Sequence, residues 1–94
     1  MYETNYRPST SQSKAYTGTS AAVDNAFGAN IHVIRVVVTT DAFVAVGTSP
    51  TATTSDMFLV AFAPEYFTVT EGQKIAAVRS SVSGTMYVTE MSTS

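Results

Sequence analysis

The sequence predicts an all-β fold: a small antiparallel β-sandwich, jelly-roll or Ig-like, of about seven short strands with an extended N-terminal arm. Three observations predict it. The chain holds 11 Ser and 15 Thr among 94 residues, and these residues suit strands and tight loops better than helix interiors. No stretch keeps apolar residues three and four apart over about ten positions, the mark of a packed helix. Short runs of Val, Ile and aromatic residues recur instead, divided by turn residues at roughly the 8 to 12-residue spacing of sandwiches and small barrels.

Residues 1–14 are polar, contain Pro8 and show no period, so they read as an arm, with the folded domain over residues 15–94. The arm carries Tyr2, Tyr6 and Arg7. Rings with a polar tip favour contact surfaces, which makes the two tyrosines candidate interface residues, and Arg7 beside them is taken with them.

A first strand is expected over residues 16–23, followed by the turn residues of DNAFGAN. Residues 31–39, IHVIRVVVT, carry the strongest strand signal. Alternation puts Ile34, Val36 and Val38 on one face and Ile31, Val33, Arg35 and Val37 on the other; a buried Arg is costly, so the first set should face the core. Thr40 and Asp41 turn the chain into a strand at 42–46.

A long connection of small polar residues, GTSPTATTSDM, then begins at Gly47. Such a length is uncommon in a compact domain. Its small side chains permit close approach to a neighbour, so Thr48, Pro50, Thr51 and Thr53 are candidate interface residues, and the loop is expected to be ordered by contacts with another subunit or partner. Residues 57–62, MFLVAF, are apolar on both alternating faces, which predicts a second covering layer and adds Phe58 and Phe62 to the interface set. Pro64 interrupts this run, and strands follow at 65–69, 73–79 and 85–90, the last closing as a hairpin. The expected core comprises Ile34, Val36, Val38, Phe43 or Val44, Leu59, Phe67, Val69, Ile75 and Val88.

Composition bounds the function. With 94 residues and no cysteine, a single small core must be stabilised by packing or by neighbours. Small scaffolds commonly recruit oligomerisation for this, so a homo-oligomer is expected. Only 13% of residues are charged against 45% hydrophobic, and the net charge is −2 with its five basic residues scattered. A nucleic-acid partner is not expected, because no basic stripe can follow a phosphate backbone. Neither a signal-peptide run nor an apolar stretch of membrane-spanning length occurs in these residues, so a soluble protein without a membrane partner is expected.

Catalytic chemistry finds little to stand on. His32 is the single histidine, which excludes sites needing two imidazoles. The carboxylates Glu3, Asp24, Asp41, Asp56, Glu65, Glu71 and Glu90 lie singly in turns and at strand ends. Asp24, Asn25 and Asn30 miss the spacing of a calcium loop, and no nucleophile elbow, phosphate loop or zinc-helix motif occurs. No catalytic residue, metal ligand or cofactor is expected.

The order of turn and strand signatures carries a resemblance: an Ile/Val-rich strand, V-A-V-G at 44–47, P-T-A-T at 50–53, P-E-Y-F at 64–67, E-G-Q-K-I-A at 71–76 and Y-V-T-E at 87–90. Over roughly residues 16–91 this resembles small β-sandwich structural proteins of tailed bacteriophages, which decorate or cement a capsid or form other small virion parts. The resemblance implies a non-enzymatic virion protein, made in the bacterial host cytoplasm, with the major capsid protein or other virion proteins as partners. A small tail or fibre component is the neighbouring alternative. A different class is a carbohydrate-binding sandwich module, for which Tyr66 and Tyr87 would serve as stacking platforms.

Overall fold

The computed structural model describes residues 6–93, which form eight β-strands and, among the described residues, no helix: β1 (Tyr6–Tyr16), β2 (Ala21–Ala22), β3 (Val33–Val38), β4 (Ala42–Gly47), β5 (Met57–Leu59), β6 (Glu65–Thr68), β7 (Lys74–Arg79) and β8 (Gly84–Thr93). They form two four-stranded antiparallel sheets, β1-β8-β3-β6 and β2-β7-β4-β5. The chain changes sheet at every connection but one, from β4 to β5. This is jelly-roll connectivity, an eight-stranded double Greek key, and it differs from the Ig order.

The connectivity explains the long loop. Short links such as Thr39–Thr40–Asp41 need only step from one layer to the other, whereas residues 48–56 join the ends of two paired strands. They therefore form the one hairpin loop among the described residues. It also corrects the closing hairpin expected from SSVSG, since β7 and β8 belong to different sheets. A tight polar link looks the same in sequence whether it folds a strand onto its neighbour or onto the opposite layer.

Between the sheets lies one core of Tyr16, Val23, Phe27, Ile31, Ile34, Val36, Val38, Ala42, Val44, Leu59, Val69, Ile75, Ala77, Met86 and Val88, with Phe67 packed at its border. The inward alternation of β3 is as expected, because Ile34, Val36 and Val38 are fully buried while Val33, Arg35 and Val37 are half-exposed. Burying such side chains contributes about 1.5 to 3 kcal/mol each. Ile31 departs from the expected outward set. It precedes β3, behind Asn30 in left-handed backbone (φ 65°), so strand alternation does not govern it, and it is buried with Phe27 in the β2–β3 connection. That connection is tied to the β6–β7 turn by Phe27 N–H to the Gln73 carbonyl (2.8 Å) and Gly72 N–H to the Phe27 carbonyl (2.9 Å).

The folded domain begins earlier than residue 15. The segment expected to be an arm is, from Tyr6 onward, an edge strand paired with β8 along its length, with a register shift between Pro8 and Ser11. Its residues 7–15 are exposed or half-exposed, so it is ordered by backbone pairing and not by apolar burial. Hydrophobic patterning cannot report such a strand. Two clasps fix it to the loop after β2: Gln12 exchanges hydrogen bonds with the backbone N–H and carbonyl of Asn25 (3.2 and 2.9 Å), and Lys14 Nζ meets Asp24 Oδ1 at 2.9 Å. The strand expected over residues 16–23 is correspondingly split by the turn at 17–20, leaving only Ala21–Ala22 as β2.

Candidate functional site

The titratable side chains are dispersed, and several of the carboxylates serve turns and clasps. His32 is exposed, and its carbonyl accepts the Val69 N–H at 2.8 Å. Asp41 accepts the Ala61 N–H at 2.9 Å, and Asp56 accepts both the N–H and the hydroxyl of Thr53 at 2.7 and 3.1 Å. The Asp24 carboxyl is held below its ordinary value by the hydrogen bond and charge of Lys14. Among the described residues, no three of His, Cys, Asp and Glu are grouped so as to hold a metal ion. No helix of the described residues is long and apolar enough to cross a membrane.

The distinctive features are surfaces. The sequence-predicted interface residues separate into three places. Arg7 is exposed on β1, where it pairs with Ser92, and Tyr6 pairs by its backbone with Thr93; Tyr2 lies outside the described residues. Thr48, Pro50, Thr51 and Thr53 occupy the β4–β5 loop at one end of the sandwich. Phe58 lies on β5, and Phe62 lies just beyond it, toward the opposite end.

The β4–β5 loop is ordered by its own domain. The Asp56 carboxylate closes a turn on Thr53, Asp56 N–H returns to the Thr53 carbonyl (3.0 Å), and Ala52 N–H donates to Ser20 Oγ at 2.8 Å. Since Ser20 precedes the edge strand β2 and β7 lies between β2 and β4, the loop crosses the outer face of this sheet. There Ala52 joins Ala76 and Val78 in a second buried cluster, bordered by Ala22, Phe43 and Ala45. The strand buried on both faces is thus β7, whose covering layer is this loop. The signal was legible as the four consecutive apolar residues Ile75 to Val78. The run at 57–62 has no such roof among the described residues.

Cross-strand register sets Val78, Phe43 and Phe58 in one outward row. The rings of Phe43 and Phe58 pack at 5.3 Å between centroids in a tilted geometry, a favourable arrangement. Beyond the roof the surface is open and apolar: Met57 is 50% exposed, Phe58 46%, Val60 54% and Phe62 71%. Phe62 also adopts left-handed backbone, φ 60°, which is an outlier for a bulky residue. Three bonds around it hold the turn: Phe62 N–H to the Val38 carbonyl (2.8 Å), Ala63 N–H to the Val60 carbonyl (3.3 Å), and Ala61 N–H to Asp41. Val82, 59% exposed, stands at the same end, where the Thr40 hydroxyl binds its carbonyl at 2.8 Å. Sequence patterning found Phe58 and Phe62, but the backbone strain that displays Phe62 has no sequence signature.

No family model, curated protein or solved structure matches this chain.

Proposed function

We propose that the chain is a non-enzymatic structural protein of a phage virion, most simply a capsid decoration or cement protein, which docks through the apolar surface around Phe58, Val60, Phe62 and Val82. The observation that carries the docking surface is Phe62: a bulky ring displayed to solvent in a backbone conformation that costs on the order of 1 to 3 kcal/mol. Exposed apolar groups on β5 and in the turn after it, one of them on strained backbone, fit a contact surface better than they fit a solvated loop. The virion assignment itself draws on the resemblance in strand and turn order. Jelly rolls serve capsids and lectins alike, so the fold alone does not decide function.

The test is composition of the particle. Purified virions of the phage encoding the chain should contain it at fixed stoichiometry to the major capsid protein, and Phe62→Ser should be depleted from them while remaining folded. Absence of the wild-type chain from the particles would overturn the assignment.

A further inference from the structure

The outer face of the other sheet has a different chemistry. Register across β8, β3 and β6 places Thr89, Arg35 and Tyr66 in one outward row and Tyr87 with Val37 in the next, while β1 adds Ser11 opposite Thr89 and Ser13 opposite Tyr87. Tyr87 and Tyr66 are 52% and 59% exposed. The Ser11 and Thr89 hydroxyls are hydrogen-bonded at 3.0 Å. An open depression of about 290 Å³ runs between β1 and β8, lined by residues 11–13 and 87–89.

From this arrangement we infer a binding site for a short neutral hexose oligosaccharide, distinct from the docking surface and independent of the virion reading. Tyr66 and Tyr87 lie two strands apart and two residues out of step, so their Cα atoms are about 12 Å apart by strand spacing and rise. That is the span of a short oligosaccharide. The faces of the two rings offer platforms for the C–H-rich faces of sugar rings, and the hydroxyls of Ser11, Ser13 and Thr89 supply donors and acceptors that can rotate to suit sugar hydroxyls. Arg35, half-buried in the first row between Thr89 and Tyr66, adds a fork of donors for adjacent sugar oxygens.

Two features favour this occupant over a protein. On the central strand the guanidinium of Arg35 separates the half-buried Val33 and Val37, where a protein interface would be continuously apolar, and the exposed aromatic side chains of the face are both tyrosines, whose hydroxyls keep them wetted. Arg35 is the only charged residue in these two rows, so the face carries no cluster of cations to select a polyanionic chain.

The experiment is a titration of the isotope-labelled protein with cellohexaose, maltohexaose and mannohexaose, followed by amide chemical shifts, with hexagalacturonate as a charged comparison. At least one neutral chain should shift the amides of residues 11–13, 35, 66 and 87–89. Tyr87→Ala should weaken that binding on the order of tenfold without altering the rest of the spectrum. Phe58→Ser, on the opposite sheet, should bind as the wild type does. Absence of shifts with all three neutral chains, shifts confined to other surfaces, or binding of hexagalacturonate alone would each overturn the inference.

Discussion

Tyr16 shows how a single residue closes this sandwich. It is 1% exposed at the end of β1, and its hydroxyl donates to the Thr40 carbonyl at 2.5 Å while accepting the Thr40 N–H at 3.1 Å. One side chain thus satisfies both backbone groups of Thr40, the middle residue of the β3–β4 link. Directly opposite, Gly84 leaves the space this requires, since a Cβ there would meet the Tyr16 hydroxyl at 2.8 Å and the Thr39 hydroxyl at 2.7 Å. Tyr16→Phe keeps the ring but strands two polar groups, so it should destabilise the domain by about 1 to 3 kcal/mol. Thermal or denaturant unfolding measures this directly, and a loss below a few tenths of a kcal/mol would remove the hydroxyl from the account. Phe62 should behave in the opposite way. Asn tolerates left-handed backbone, and the exposed ring contributes little burial, so Phe62→Asn should leave the isolated domain as stable or about 1 kcal/mol more stable. The same variant should lose affinity for its particle. Clear destabilisation of the isolated domain would mean that the ring serves the fold.

Among the elements, legibility follows the source of order. β3, β4 and β7 derive theirs from apolar burial, and their sequence marks Ile34, Val36, Val38 and Ile75 as core residues, with Phe43 or Val44 beside them, of which Val44 is the inward one. Leu59, Val69 and Val88 were found in the same way. β1 derives its order from pairing with β8 and from the Gln12 and Lys14 clasps, which leave no hydrophobic period. Phe27 and Ile31 are buried from a connection, where no period applies. The exposed Phe58 and Phe62 are readable because they are apolar where a solvated strand would be polar; that a loop roofs β7 is not, because it depends on which way that loop folds back. A concrete consequence concerns truncation. Removing residues 2–13 should not leave an intact domain, because it strips β8 of its neighbour and frees an edge that favours aggregation. Lower solubility and a reduced melting temperature are expected, and a truncated chain as stable as the full one would return β1 to the status of a loose arm.

At the scale of the whole molecule, the two sheets present unlike outer faces. One carries hydroxyls, two tyrosines and Arg35; the other is partly roofed by its own loop and continues into the open apolar surface at Phe58, Val60 and Phe62. A sandwich with one wetted face and one apolar border can sit on a larger assembly while keeping the first face outward. The measurement that tests this most directly is hydrogen exchange on the free and particle-bound protein. Amides of residues 58–63 and 82 should gain protection on binding, whereas residues 52–56, in the loop at the opposite end of the sandwich, should change little. Unchanged exchange at 58–63 in the bound protein would contradict the account.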